Sequence, residues 1–371
     1  MPSTVPITPL RVVRGLALKG RALVTGATGF VGSHVVRSLL SRGVRVRALV
    51  RPGTPAERLQ AAGVEIAEGD LLNRDSVLRA LEDCDFLFHV AALYAFSHPD
   101  PTLIYRTNVD GTRTILEAAR HVRRIVYTST VGALGCPGDG RPANEYVPVR
   151  ERDLVGAYKK SKFRAQVVAE ELAALGYPIV IVNPTTPVGP GDVKPTPTGR
   201  MIVDYMAGKM KAYVETGLNL VAVEDVAEGH CRAAERGRIG ERYILGSANL
   251  HLRDIFQALG EITGVPAPKL RVPRWVPLGA ALLSTAAARC MGRSPALSFE
   301  QVRLSSKFMY FDGRKAVEDL GMPQSCVYSA LERAVDWFRR KELAKIGLDL
   351  ASLDRSAIHR LTGPAPRSSS R

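Results

Sequence analysis

The stretch Leu23-Val-Thr-Gly-Ala-Thr-Gly-Phe-Val-Gly32 decides the fold, because it joins an apolar run to a glycine-rich turn and then to a helical pattern. The apolar run, Arg21 to Thr25, predicts a buried parallel strand. The first glycine permits a tight turn, the second lets a ligand approach the backbone, and the third lets the helix pack closely on the strand. Because a helix N-terminus carries free N–H groups and a positive dipole end, this arrangement predicts a dinucleotide diphosphate site. The residues predicted to contact the cofactor there are Gly26, Thr28, Gly29, Phe30, Val31 and Gly32.

Further strand patterns alternate with helical patterns along the chain. The runs are Val44–Val50, Val64–Leu71, Phe86–Ala92 and Arg124–Thr130. Such alternation predicts an α/β fold, a Rossmann-type doubly wound parallel sheet whose ligands bind at the carboxyl ends of the strands. The C-terminal part is expected to form a smaller substrate-binding lid. His89, inside the fourth run, is interpreted as a packed core histidine rather than a catalyst.

The residues that end these strands complete the predicted cofactor site. Arg51 stands where NAD-binding proteins place an acidic residue on the ribose hydroxyls. Since an arginine attracts a 2′-phosphate, NADP is favoured over NAD, and the alternative is a solvated loop charge. Asp70, which precedes Leu71, either accepts a hydrogen bond from the adenine amino group or caps the helix beginning near Asn73. The small residues that leave room for the cofactor backbone are Ala91 and Ala92.

The segment Tyr158-Lys-Lys-Ser-Lys162 predicts the chemistry. Residues four apart on a helix project from the same face, so Tyr158 and Lys162 are expected to share a site. A phenol has an unperturbed pKa near ~10, and a neighbouring ammonium lowers that pKa by favouring the phenolate. The tyrosine can then exchange a proton with a substrate oxygen while hydride moves at the adjoining carbon. Thr130, at the end of its strand, can hold that oxygen with its hydroxyl.

Four motifs together resemble the extended short-chain dehydrogenase/reductases, the NAD-dependent epimerase/dehydratase family. They are Thr25-Gly-Ala-Thr-Gly-Phe-Val-Gly32, Thr128-Ser-Thr130, Tyr158-x-x-x-Lys162 and Asn183-Pro-Thr-Thr-Pro-Val-Gly-Pro190. The resemblance covers roughly Arg21 to Arg340. Within the superfamily, the chain is similar to the dihydroflavonol-reductase-like branch and most of all to the hopanoid-associated sugar epimerases of bacteria.

The resemblance implies roles for individual residues. The implied catalytic residues are Thr130, Tyr158 and Lys162. Ser129 is the competing hydroxyl, and strand alternation turns it to the opposite face. Pro184 and the threonines after it are implied to line the nicotinamide end of the site. Asn108 is implied to support the nearby helix and the cofactor, and helix capping is the alternative explanation.

One departure from the family pattern narrows the reaction. Sugar dehydratases of this family carry an Asp-Glu pair directly after the active-site threonine, whereas this chain has Val131-Gly132. A dehydratase is therefore not expected, because water elimination would lack its general acid. The resemblance implies an NAD(P)-dependent epimerase or oxidoreductase acting on a sugar or sugar-like group in hopanoid metabolism. Two alternatives stay open: an NADPH-dependent ketone or aldehyde reductase, and a non-catalytic NADP-binding regulatory protein.

Composition bounds the partners. The 371-residue chain has a formal net charge of +15, but neither zinc-finger spacing nor an aromatic-interleaved basic stripe accompanies the charge. Nucleic acid is therefore not expected as a partner. The family resemblance implies a small-molecule sugar or lipid-linked substrate instead. The five cysteines are scattered, without metal-ligand spacing or a disulfide framework, which is typical of a cytoplasmic protein without a metal site. The family resemblance makes a homodimer plausible.

The predicted organisation has four parts. Residues 1–20 form a flexible leader, 21–190 the NAD(P)-binding domain, 191–345 mainly the substrate-binding part with a return to the sheet near 218–246, and 346–371 a disordered tail. Asp225, in the return segment, is interpreted as a helix cap. Residues 275–288 are nearly uncharged and flanked by arginines. They predict either a buried lid helix or an apolar face in peripheral contact with an anionic inner membrane.

Overall fold

A computed structural model describes residues 15–94, 100–137, 139–273 and 307–345. Its strands are β1 (Arg21–Thr25), β2 (Arg45–Val50), β3 (Glu65–Glu68), β4 (Phe86–His89), β5 (Arg124–Thr128), β6 (Ile179–Pro184), β7 (Thr186–Val188), β8 (Ala212–Val214), β9 (Gly217–Ala222), β10 (Arg242–Leu245), β11 (Ala248–His251) and β12 (Leu270–Val272). Its α-helices are α1 (Phe30–Leu40), α2 (Glu57–Ala61), α3 (Arg74–Leu81), α4 (Pro101–Tyr105), α5 (Gly111–Ala118), α6 (Ala157–Ala174), α7 (Pro197–Met206), α8 (Val223–Arg236), α9 (Leu252–Thr263) and α10 (Val327–Lys345).

Seven of the strands form a parallel sheet in the order β10-β6-β5-β4-β1-β2-β3. The chain starts at the centre, winds outward to β3, and then returns past β1 to build the other half. This is the predicted Rossmann-type doubly wound fold, and the prediction is confirmed. The third, fourth and fifth strands end two or three residues earlier than predicted. The residues in question leave the sheet for loops at its carboxyl edge.

Apolar side chains on the two faces of the sheet form two separate cores. Phe86 and Phe88 of β4 pack on the side covered by α1 and α8, whereas Leu87 packs against α3, α5 and α6. All three side chains are fully buried. This central strand has no polar face because helices cover both sides of a parallel sheet.

The lid is built from two small sheets, β11-β9-β7 and β12-β8, packed on α7, α9 and α10. Tyr205 and Phe256 stack in its core with ring centroids 5.5 Å apart. Residues 316–322, expected in the lid, instead pack into the main core through Ala316, Leu320 and Met322. This segment therefore belongs to the main core and not to the core of the lid.

Asp225 does not cap its own helix, so the helix-cap interpretation is wrong. The backbone N–H and the hydroxyl of Ser325 donate to its carboxylate at 2.6 and 2.7 Å. Helix α8 thereby holds the chain just before α10. Since α8 packs on the main sheet and α10 belongs to the lid, this contact joins the two parts.

The predicted leader ends before residue 20. The N–H of Leu16 donates to the carbonyl of Glu235 at 2.7 Å, and Leu18 is buried in the main core. The rest of the leader, the predicted tail and the apolar segment 275–288 lie outside the described residues. Within the described ranges, no helix is long and apolar enough to cross a membrane.

His89 ties three elements together in the core. Its ring is fully buried, and its two nitrogens are hydrogen-bonded to the hydroxyls of Thr25 at 2.8 Å and Thr112 at 3.0 Å. Burial disfavours the imidazolium, and Lys162 repels it, which lowers the pKa of His89 from 6.5 to about 3. His89 is therefore a neutral core histidine, as interpreted from the sequence.

Acid should destabilise the protein through this histidine. Between pH 6.5 and 3 the unfolded chain binds a proton that folded His89 does not. The free energy of unfolding therefore decreases by up to about 1.4 kcal/mol for each unit by which the pH is lowered. His230, whose burial lowers its pKa to about 4, adds an effect of the same sign. Urea unfolding between pH 7 and 5 should show a shallower pH dependence in His89→Gln than in the natural protein. The exposed His121 supplies the control: the slope of His121→Gln should match that of the natural protein, and equal slopes in all three would contradict this account.

Candidate active site

The predicted site residues line one cleft of about 760 Å³ at the carboxyl edge of the main sheet. Loops that follow β1 to β6 form its floor, and lid residues from β9, α7 and residues 309–311 form its outer wall. The predicted residues found on the cleft surface are Gly26, Thr28, Gly29, Phe30, Val31, Gly32, Arg51, Asp70, Leu71, Ala91, Ala92, Thr130, Tyr158, Lys162 and Pro184.

The glycine turn has the geometry that a diphosphate site requires. Gly26 has a φ of +71°, and a Cβ there would lie 2.8 Å from the backbone nitrogen of Ala91. A Cβ on Gly32 would overlap the carbonyl oxygen of Gly26, so the helix packs on the turn only because that side chain is absent. Helix α1 begins after Gly29, without a side-chain cap and without an acidic residue in its first turn. These N–H groups and the uncovered backbone fit the diphosphate of a dinucleotide.

Asp70 and Arg51, both near the turn, differ in whether their side chains bond to other protein groups. Oδ1 of Asp70 accepts from the N–H of Leu72 at 2.8 Å, while Asn73 accepts from Ser76 and caps α3. The helix-cap alternative for Asp70 is therefore wrong. Arg51 is exposed on the cleft rim and forms no ion pair with any described residue. Its guanidinium is available to a ligand phosphate.

Hydrogen bonds distinguish the two candidate hydroxyls after β5. Ser129 donates to Oε1 of Gln166 at 2.7 Å and is buried. The hydroxyl oxygen of Thr130 accepts only a local bond, from the N–H of Gly132 at 3.1 Å, so its proton remains available to a ligand. Asn183 donates to the carbonyl of Thr130 and to Gln166, both at 2.9 Å, which fixes this strand end. Thr130 therefore fits a role on a substrate oxygen better than Ser129.

Lys162 lies in the floor of the cleft and contacts β5. Its ammonium donates to the hydroxyl of Tyr127 at 2.9 Å and to the carbonyl of Thr128 at 2.8 Å. Burial lowers the pKa of Lys162 to about 7. The side chain is 2 % exposed, so this interaction anchors α6 to the sheet.

The expected lowering of the Tyr158 pKa by Lys162 is not found. Burial in the cleft wall raises the pKa of Tyr158 well above its ordinary value, and Tyr94 and Tyr127 raise it further. Lys162 is directed at Tyr127 and Thr128, so its charge does not offset the desolvation of a Tyr158 phenolate. Tyr158 is therefore a protonated phenol, which can donate a proton.

Tyr94 was not predicted as a site residue. Its ring lies edge-on to that of Tyr158, with centroids 4.5 Å apart and planes at 81°, and it lines the cleft.

Asn108 positions the loop that carries Tyr94. Its Oδ1 accepts from the N–H of Leu93 at 2.7 Å, and its Nδ2 donates to the Leu93 carbonyl and to Ser161. Asn108 lies inside the π-helical turn Arg106–Asp110 and does not cap a helix. The sequence indicated a role for Asn108, because it is a polar residue within a helical pattern. No sequence motif pointed to Tyr94.

The absence of a side chain at position 32 is required for the turn to form. Gly32→Ala should lower the melting temperature by several degrees and weaken NADPH binding by at least tenfold, because the added methyl displaces α1 from the turn. Thermal unfolding and fluorescence titration would measure the two effects. Gly29→Ala is the matched comparison, since its Cβ would lie 3.2 Å from the nearest atom, and its melting temperature should change much less. A Gly32→Ala protein as stable as the natural one would contradict the close packing.

Comparison with known proteins identifies the family of the chain. Residues 22–246 match the NAD dependent epimerase/dehydratase family. A Synechocystis protein provisionally named dihydroflavonol 4-reductase is 45% identical over 91% of this chain and 99% of its own length. Sterol demethylase protein B of Methylococcus capsulatus is 35% identical over 86% of this chain and 98% of its own length. The crystal structure of gox2253 is 46% identical, with a TM-score of 0.78 over 86% of this chain and 98% of that one. The chain belongs to the NAD dependent epimerase/dehydratase family, the extended short-chain dehydrogenase/reductases.

Proposed function

We propose that the protein is an NAD(P)-dependent enzyme that moves hydride at the carbon of a hydroxyl or ketone group on a substrate with an apolar body. The sugar or sugar-like part of a hopanoid lipid is the substrate class that the sequence resemblance favours. The observation that carries the proposal is the convergence of Thr130, Tyr158 and the glycine turn on one cleft whose outer wall is mainly apolar.

The outer wall of the cleft supports an apolar substrate body. Met201, Leu218, Met309 and Phe311 reach the cleft from three lid segments: α7, β9 and residues 309–311. Large apolar side chains around a ligand stabilise it by removing its apolar surface from water, about 25 cal/mol per Å². The names of two relatives, a dihydroflavonol reductase and a sterol demethylase protein, also refer to ring compounds.

The chain's own residues would act on the substrate oxygen. The glycine turn and Arg51 would hold the cofactor, which when bound supplies or accepts hydride. Thr130 would donate a hydrogen bond to the oxygen of a substrate carbonyl, and Tyr158 would deliver a proton to that same atom. The protonated Tyr158 phenol can supply the proton that reduction of a carbonyl takes up.

The charges of the described cleft residues argue against dehydration. Asp70 is the one carboxylate among them, and it lies beside β3, far along the sheet from Thr130. Positions 131 and 132, directly after Thr130, are valine and glycine. The described wall thus offers no carboxylic acid near the reacting oxygen to assist the loss of water.

An exchangeable-cofactor reductase is the second candidate, favoured by the exposed Arg51 on the cleft, which would attract the 2′-phosphate of NADPH. An epimerase would return hydride to its substrate and retain its cofactor, whereas a reductase would release it oxidised. Denaturing the purified protein and identifying the released nucleotide separates them. Stoichiometric nucleotide supports the epimerase, and an empty protein that binds NADPH and oxidises it with a fused-ring ketone such as 1-decalone supports the reductase.

Tyr158→Phe tests whether the protein is an enzyme of this kind. Removing the proton donor should lower turnover by 10²-fold or more while cofactor affinity changes by no more than about threefold. Steady-state kinetics and fluorescence titration with NADPH measure these two quantities. Tyr146→Phe, a change at an exposed tyrosine outside the cleft, should leave both unchanged. Full activity in Tyr158→Phe would refute the assigned mechanism, and a natural protein that binds NADPH without turnover would favour the regulatory alternative.

Arg51 should determine the preference for NADP. A charge-assisted hydrogen bond contributes about 1.5–3 kcal/mol, so Arg51→Ala should weaken NADPH binding roughly ten- to hundredfold and leave NADH binding nearly unchanged. Titration of both nucleotides measures the ratio. Arg45→Ala removes an exposed arginine at the opposite end of β2 and controls for net charge. Equal losses for NADPH and NADH in Arg51→Ala would show that the arginine does not contact a 2′-phosphate.

A further inference from the structure

We propose that Lys159 is an anion-binding residue in the substrate half of the cleft, and that the natural substrate carries a carboxylate or phosphate group on its apolar body. The inference deepens the proposed function and rests on it only in taking this part of the cleft as the substrate site. Neither the catalytic roles of Tyr158 and Thr130 nor the cofactor site uses Lys159.

The backbone opposite Lys159 leaves space for its side chain. Lys159 follows Tyr158 on α6 and lines the same cleft. A Cβ built on Gly132 would lie 3.5 Å from both Cγ and Cε of Lys159, so the lysine stem runs over the glycine at van der Waals distance. A longer side chain at position 132 would compete for this space. The glycine after Thr130 thus directs a cation along the wall beside the reacting centre.

The Lys159 ammonium lacks a protein counter-ion. Among the described residues it forms no ion pair and no hydrogen bond, although it is half-buried. Burial lowers the pKa of Lys159 to about 8, against an opposing contribution from Cys136 and with a further lowering from Lys307. The group is therefore still mainly protonated at pH 7. A partly desolvated, unpaired cation is unfavourable, and a ligand anion beside it would offset that cost.

The other charged groups of the cleft are either hydrogen-bonded to the protein or distant from Lys159. Lys162 donates to Tyr127 and Thr128. Arg51 and Asp70 follow β2 and β3, on the other side of β1 from Lys159. Of the described cleft residues on the Thr130 side, Lys159 is the one charged residue besides Lys162. A single uncommitted cation within a wall of apolar side chains and uncharged threonine hydroxyls matches a ligand with one anionic group on a mainly apolar body.

The two sources of such an anion share the same chemistry. A carboxylate and a phosphate monoester would both accept hydrogen bonds from the ammonium. A lysine is a point charge with rotatable donors, and it imposes no planar two-point geometry that would select between them. Matched ligands that differ only in this group can therefore distinguish the sources.

The test uses isothermal titration of the NADP⁺-saturated full-length protein at pH 7. The probes are 2-naphthoate, 2-naphthyl phosphate and the neutral analogue 2-naphthamide. The natural protein should bind at least one anionic probe about tenfold or more tightly than the amide, because a charge-assisted bond replaces a weaker neutral contact. The anion that binds more tightly identifies the source.

Three variants assign the preference to Lys159. Lys159→Met keeps the stem but removes the charge, and it should bind all three probes with similar affinity. Lys159→Arg keeps the charge and should retain the preference for the anion if the protein is folded and saturable. Lys160→Met removes the neighbouring lysine, which does not line the cleft, and should behave like the natural protein. A preference that survives in Lys159→Met, equal binding of the three probes to the natural protein, or no binding of any of them would overturn the proposal.

The outcome is separable from that of the proposed function. Probe binding requires no turnover, so a full-activity Tyr158→Phe protein would refute the mechanism while leaving the anion preference measurable. Conversely, turnover of a neutral ketone together with equal binding of the three probes would refute the role of Lys159 alone.

Discussion

The close approach of helix α1 to the turn after β1 is the constraint on which the site depends. The backbone of Gly32 lies against the carbonyl of Gly26, and Gly26 in turn lies against the backbone at Ala91. Thr25 strengthens the same junction, because its hydroxyl oxygen accepts from the N–H of Ala91 and is hydrogen-bonded to His89. Two central strands and one helix therefore meet at a single point, where backbone lies directly against backbone at Gly26 and Gly32. The uncovered backbone that results is what an anionic cofactor can approach.

Buried hydrogen bonds connect the turn to the elements that carry the reacting groups. His89 reaches α5 through Thr112, and Asn108 joins the loop after β4 to Ser161 on α6. On the far side of α6, Lys162 bonds to β5, and Gln166 bonds to Ser129. Leaving any of these groups unpaired in the core would cost about 1–3 kcal/mol. The placement of Tyr158 thus depends on polar residues that need not touch a substrate.

Local patterns in the sequence were sufficient to predict the glycine turn and the doubly wound parallel sheet. Glycines at fixed spacing and apolar runs depend on neighbours along the chain, so Gly26, Gly32 and the runs that form β1 to β5 were predicted, although three of these strands end two or three residues earlier than expected. The pKa of Tyr158 was not, because it depends on burial and on where the ammonium of Lys162 points in three dimensions. The same limit applies to Asp225, whose partner Ser325 is 100 residues away. Tyr94 lay outside any motif, and only packing places it against Tyr158.

The charged residues of the cleft differ between the part proposed to bind the dinucleotide and the part proposed to bind the substrate. On one side of the cleft lie the N–H groups at the start of α1 and, after β2, Arg51, which we propose hold an anionic dinucleotide. On the Thr130 side the described wall combines apolar side chains with uncharged threonine hydroxyls, and the stem of Lys159 packs over Gly132. A small residue at position 132 therefore has two consequences: it places no acid next to the reacting oxygen, and it admits a cation there. Electrostatic interactions are strongest where water is excluded. A cleft with the Lys159 ammonium near Thr130, in place of the carboxylates of the dehydratases, would therefore stabilise different substrates.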